Sequence, residues 1–244
     1  LRQAYRYAVY LAPTDPWRNV GQRWLGRCED SGQRLTRHPN MDPRIEAWTQ
    51  EPRLYGLHAT LKPPFQLKNG TTPKGLDHAV RELARQQEPF GITLTCENLR
   101  GFLAWCAADK RGRTRVKALG NTVIRELDGF RAPPTPSEIA RRQPERLTPD
   151  EREMLMRWGY PYAFETFTFH ITLTGRLDES SLNAAHKQLS ALSSPSMHAP
   201  MPVDAISIYV QPEPGAEFVV ARHYGFDGTT RDGIGAYFLS ENAA

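Results

Sequence analysis

The sequence predicts an α+β fold of two similar lobes, each a β-α-β-β unit with an antiparallel sheet. A pseudo-two-fold axis would relate the lobes around a central cleft, with a helical insertion between them. Three observations predict this. The stretches His58-Ala59-Thr60-Leu61 and His170-Ile171-Thr172-Leu173 repeat one pattern in strand-like surroundings. Each is followed by an amphipathic helical stretch and then by two strand-like runs, in the same order. Between the two units lies a Pro-rich segment with strong helix-start signals. The chain is read as one bilobal domain over residues 1–244, with units at about 55–107 and 164–224 and the insertion at about 133–159.

Ala4 to Ala12 is rich in aromatic and aliphatic residues and predicts a core strand ending at Pro13. Asp15-Pro16-Trp17 predicts a helix start, with Asp15 as cap and a stop at Gly26. Residues 27–52 read as connecting structure with a short helix near Arg44 to Thr49. The first motif strand is predicted over Tyr55 to Phe65, followed by a turn at Asn69-Gly70. Leu76, Ala79, Val80, Leu83 and Ala84 then recur at helical spacing. Strands follow at Gly91 to Cys96 and Leu99 to Ala107.

Within the connection, Thr114 to Leu119 reads as a further strand and Thr122 to Phe130 as a helix. Ser137 is a candidate cap for a short helix over Glu138 to Gln143. Thr148 and Glu151 have capping-box spacing with Pro149 in the first turn, so a second helix should run to Gly159, laid over or beside the cleft. The second motif strand is predicted to end at Leu177. A helix over Glu179 to Leu192 and strands at Val203 to Gln211 and Glu217 to Tyr224 complete the unit, with an edge strand at Ile234 to Leu239.

Composition narrows the function classes. With 244 residues and 39% hydrophobic content the chain can bury a substantial core. Mean hydropathy is −0.57 and no apolar run approaches the length of a membrane span, so a soluble protein is expected. The chain starts at Leu1 rather than Met, as a trimmed chain would, and its first residues do not read as an export signal. Cys28, Cys96 and Cys106 are odd in number and lack CxxC spacing, which points to buried thiols in a reduced, cytoplasmic setting. A net charge of +4 is compatible with an anionic partner, and is too mild and dispersed to favour a long RNA groove, so RNA is possible but not favoured.

On a strand, residues two apart share a face, so His58 projects with Thr60 and His170 with Thr172. One His-x-Thr would carry little weight, because so short a match is frequent by chance. Two copies, each opening a matching unit, point to a site. In-line displacement at phosphorus needs a base at the attacking oxygen and an acid at the departing one, on opposite sides. Imidazoles titrate near neutrality and can take either role, while threonine hydroxyls donate to the non-bridging oxygens. Hydrolytic zinc sites commonly use His-x-His or His-x-x-x-His spacing, and neither occurs here, so no metal and no other cofactor is expected.

Lys62 shares parity with His58 and Thr60, so it is expected to face the cleft and hold a phosphate oxygen. Thr174 is its counterpart on the second strand. Arg53 and Tyr55 precede the first motif and Tyr160 and Tyr162 the second, as candidate contacts to a base or sugar, although aromatics beside a strand more often pack. The arginine-rich segment from Arg141 to Arg146 reads as a solvated helix face, and most of the seven histidines read as surface residues. There is no GxGxxG and no Walker-type loop.

The paired HATL and HITL resemble the signature of the two-histidine (2H) phosphoesterase superfamily. The strings YGLHATLKPPF, GFLAW, FRAPPTPSEIARR, LTPDEREMLMRWGYPY and FHITLTGRL resemble its branch associated with bacterial phosphonate-utilisation operons. The resemblance implies metal-independent chemistry on 2′,3′-cyclic or related phosphodiesters in a bilobal α+β fold, with His58, Thr60, His170 and Thr172 as the catalytic set. It suggests a small ribosyl phosphate or phosphonate ester as substrate. Two other readings remain open: an RNA-end enzyme such as a cyclic phosphodiesterase or 2′–5′ ligase, and a non-catalytic nucleotide or phosphonate sensor.

Overall fold

The computed structural model describes residues 3–240, with Arg141 described by its backbone alone. The fold is mixed α and β. Its frame is an eight-stranded sheet in which every recorded pairing is antiparallel. In chain order the strands are β1 (Arg6–Leu11), β2 (Ala59–Phe65), β3 (Phe90–Ile92), β4 (Leu94–Leu99), β5 (Phe102–Ala107), β6 (His170–Thr172), β7 (Met201–Val203), β8 (Ala205–Gln211), β9 (Val219–Gly225) and β10 (Thr230–Asp232). The sheet order is β10-β9-β8-β1-β2-β6-β5-β4, and β3 pairs with β7 in a separate two-stranded ribbon. The motif strands β2 and β6 are therefore hydrogen-bonded neighbours in one sheet. They do not face each other across a cleft as expected.

Seven α-helices lie among the described residues: α1 (Trp17–Leu25), α2 (Ile45–Tyr55), α3 (Pro73–Arg85), α4 (Lys110–Leu127), α5 (Pro136–Arg141), α6 (Pro149–Trp158) and α7 (Glu179–Leu192). None of these helices is long and apolar enough to cross a membrane. Strand alternation divides β1 between two faces. Tyr7, Val9 and Leu11 enter the main core with the buried faces of α3, α4 and α7, while Ala8 and Tyr10 join Tyr209, Phe218 and Val220 on the opposite face.

Several elements differ from expectation, each for a local reason. The strand expected at Thr114 to Leu119 is the middle of α4. The Asp109 carboxylate accepts from Gly112 N–H at 2.6 Å and starts that helix, and Val116, Leu119, Val123 and Leu127 bury one helical stripe. Tyr55 ends α2 instead of opening β2, because α2 continues through Pro52 to a stop at Gly56 (φ 78°). Thr135, not Ser137, caps α5, with Glu138 completing a capping box. The second motif strand is three residues long. The edge strand is β10, and Ala236–Leu239 forms a 3-10 turn. By contrast, α7 and the Thr148–Glu151 capping box of α6 lie where the sequence puts them.

Candidate active site

Ala59 pairs with Ile171 across the β2–β6 junction. Antiparallel counting then sets His58 beside Thr172 and Thr60 beside His170. Ala59 and Ile171 are buried in the core, so the four polar side chains point to the other face. There they line one pocket of about 520 Å³, within the range of small-molecule sites. The strand ends are tied down on both sides. Tyr209 Oη donates to Leu57 O at 3.3 Å, and Trp24 Nε1 donates to Leu173 O at 2.8 Å.

The two imidazoles are anchored alike. His58 Nδ1 lies 2.9 Å from Gly56 O, and His170 Nδ1 lies 2.8 Å from Thr168 O, each two residues upstream. A carbonyl only accepts, so each Nδ1 carries the proton and each Nε2 presents its lone pair when the ring is neutral. His58 Nε2 accepts from Thr60 Oγ1 at 3.2 Å, and the ring stacks on Tyr10 with centroids 3.8 Å apart. Burial pushes His58 down to about 4, only partly offset by the Gly56 hydrogen bond and reinforced by the nearby His170. Burial also lowers His170, against the Thr168 hydrogen bond. Burial thus favours the neutral form of both rings.

Tyr55 and Tyr162 line the pocket. Thr174 also borders it, but it is fully buried and its Oγ1 accepts from Leu103 N–H at 2.9 Å. Lys62 does not reach the pocket. A bulge in β2 sets Thr60 opposite Tyr10 but Lys62 opposite Val9, and Val9 is a core-facing residue. The extra residue flips the parity. Lys62 is consequently 1% exposed, with Nζ 3.4 Å from both Ile124 O and Asp128 Oδ1 at the end of α4. Burial draws it down to about 8, against the pull of Asp128.

Tyr160 lines the pocket too, whereas five other lining residues were not singled out in the sequence: Arg6, Tyr10, Glu51, Arg142 and Arg176. Arg142 comes from the arginine-rich segment read as a solvated face. Tyr10 lies in β1, whose alternation could have placed it opposite the core. Among the described residues, no group of three or more His, Cys, Asp or Glu side chains is arranged to hold a metal ion.

His223, outside the motifs, is buried. It shares a 2.6 Å hydrogen bond with Ser207 and donates from Nε2 to Asp30 at 2.6 Å. Asp30 also accepts from Arg18 and from Arg231. Ser207 is 1% exposed inside a paired strand, so this chain ties the loop after α1 to the sheet.

Two imidazoles and two hydroxyls on one sheet face, bordered by arginines, can move protons on two sides of a bound oxyanion. The family described as "Protein of unknown function (DUF1045)" matches residues 60–219, and the chain belongs to that family. Two curated relatives are each named ribose 1,5-bisphosphate phosphokinase PhnN. The one from Laribacter hongkongensis (strain HLHK9) is 33% identical over 219 residues, covering 89% of this chain and 51% of that protein. The one from Janthinobacterium sp. (strain Marseille) is 32% identical over 237 residues, covering 91% and 51%. The chain thus spans about half the length of these relatives.

Proposed function

We propose that the chain is a metal-independent phosphoesterase of the two-histidine type, hydrolysing a small cyclic phosphodiester. The observation that carries this reading is the matched anchoring of the two imidazoles. Each Nδ1–H is spent on a carbonyl two residues upstream, and both rings line one pocket with Thr60 and Thr172. In the reaction, Nε2 of one neutral histidine takes a proton from water as its oxygen bonds to phosphorus. The other histidine, protonated once the phosphate is bound, gives its Nε2 proton to the departing ester oxygen. An anionic phosphate supplies the charge that raises that second ring from its depressed value. The hydroxyls of Thr60 and Thr172 donate to the non-bridging oxygens.

The pairing pattern supports an internal duplication in a frame that starts at β1. Taking β1-β2-β3-β4 as equivalent to β5-β6-β7-β8 makes the order β4-β5-β6-β2-β1-β8 read the same from either end. Equivalent strands also pair with each other, β2 with β6 and β3 with β7. A pseudo-two-fold axis between Ala59 and Ile171 would present the histidines from opposite sides of a bound phosphate, and either could serve as acid or base.

The relatives' name concerns a phosphokinase acting on ribose 1,5-bisphosphate. This chain has no Walker-type loop and spans about half of those proteins, so the phosphokinase activity in their name is not carried over to it. Opening a ribosyl 1,2-cyclic phosphate at O2 leaves a ribose 1-phosphate, which shares its C1 phosphate with the ribose 1,5-bisphosphate of the relatives' name. The link to phosphonate utilisation implied by the sequence resemblance belongs to the same proposal. Phosphorus NMR of the protein in EDTA with ribose 1,2-cyclic phosphate and 2′,3′-cyclic nucleotides tests it. A new monoester resonance is expected. If every diester remains intact, the hydrolase reading fails and the pocket is a binding site alone.

A further inference from the structure

The catalytic pocket opens into a second chamber. This chamber has a volume of about 500 Å³ and is walled by Pro64, Phe65, Pro133, Pro134, Ile139 and Leu155, the last four from the insertion that carries α5 and α6. The two spaces share Arg6, Glu51, Tyr55, Pro64 and Arg142, so they form one groove with a charged waist.

The chamber's charged groups differ in how far they are committed. Arg131 donates to both Asp128 oxygens and to Arg157 O. Glu138 is held by the α5 capping box. Arg6 lies over the Tyr5 and Phe218 rings and donates from Nε to Gln211 Oε1 at 2.7 Å, while among the described residues its terminal amino groups have no hydrogen-bond acceptor. Arg142 is exposed, and among the described residues its guanidinium has no hydrogen bond and no ion pair. Two guanidiniums with unspent forks at one constriction suit a phosphate, which accepts bidentate donors from more than one side. Among the described residues Glu51 is the only carboxylate at the waist, and it would repel a phosphate placed against it. Beside the chain of a polyol it is an acceptor for hydroxyls.

We infer that the groove takes a diester bearing a second, terminal phosphate, held at the waist by Arg6 and Arg142, with the sugar hydroxyls toward Glu51. This rests on the phosphodiesterase reading and adds a specificity determinant to it. The cyclic phosphate lies between His58 and His170, and the terminal phosphate lies toward the second chamber. Ribose 1,2-cyclic phosphate carrying a 5-phosphate has this form, and its hydrolysis releases ribose 1,5-bisphosphate.

The test compares kcat/KM for ribose 1,2-cyclic phosphate with and without the 5-phosphate, in the wild type and in Arg142→Gln, Arg142→Lys and Arg6→Gln. The wild type should prefer the 5-phosphorylated diester by roughly tenfold or more, the scale of a charge-assisted contact. Each glutamine variant should lower that ratio, and the lysine variant should restore part of it. A wild-type ratio near one overturns the inference, as does a ratio that Arg142→Gln and Arg6→Gln leave unchanged. Phosphorus NMR titration of the His58→Ala/His170→Ala protein with ribose 5-phosphate reads the waist without turnover. Saturable binding that weakens in Arg142→Gln is expected even if the hydrolase reading fails, and no binding contradicts the waist as a phosphate site.

Discussion

Ala59 of β2 is paired with Ile171 of β6 at the centre of the sheet, and this single register assembles the site. Each residue buries its side chain in the core, so the His and Thr on either side of it emerge on the opposite face. Ala59 leaves little bulk behind the first motif, and Ile171 fills the space behind the second. A one-residue slip of either strand would send its His and Thr into the core, where unpaired imidazole and hydroxyl groups are costly. The register is therefore held by burial on one face and selects the chemistry on the other.

Lys62 lies outside the site, and substitution should say so. Lys62→Met is expected to keep kcat/KM within about threefold, whereas loss of a phosphate ligand costs roughly tenfold or more. Its folded value of about 8 lies below the ordinary lysine value, so the folded chain releases this proton first. Stability should rise with pH between about 8 and 10 in the wild type and lose that component in Lys62→Met. Urea melts at several pH values measure it.

The depressed His58 gives a second check. Its ring should titrate near pH 4 in the free protein, seen in the imidazole proton resonances, and should move up by about one unit or more with bound phosphate. Below about pH 6.5 the unfolded chain takes up a proton that the folded chain resists. Stability from this group therefore falls as pH drops from about 6.5 toward 4. A free-protein value at or above 6.5 would remove the neutral pair from the account.

Asp30 anchors the loop after α1. Burial alone would raise its pKa. The His223 hydrogen bond, with the charges of His223, Arg18 and Arg231, outweighs that and holds it at about 2. Its contribution is complete above about pH 4 and is lost as pH falls toward 2. Asp30→Asn should cost about 2 kcal/mol at pH 7 by denaturant unfolding, with a flatter acid limb than the wild type.

Much of this site was legible because strand parity is local. Two His-x-Thr stretches with apolar residues between them can bury only one face, and both do. Parity failed at Lys62 because the β2 bulge is set by pairing with β1, which lies some fifty residues upstream. Thr114 and Val116 suggested a strand, but the Asp109 cap and the burial of the Val116, Leu119, Val123 and Leu127 stripe made one long helix. Tyr10 and Arg142 reach the pocket through tertiary placement alone, one across the β1–β2 ladder and the other from the insertion. No spacing near the motifs marks either. Sequence order suggested units beginning at residue 55, and in the sheet β1 lies beside β2 and β5 beside β6.

The central claim is that His58 and His170 act together as acid and base. Its most direct measurement is kcat/KM on the cyclic diester that the wild type turns over, for His58→Ala and His170→Ala, with circular dichroism to establish the fold. Each variant should fall by about 10²-fold or more with an unchanged spectrum, and the double variant should fall little further, because the two groups serve one step. A folded single variant that keeps more than about a tenth of wild-type activity would contradict the account.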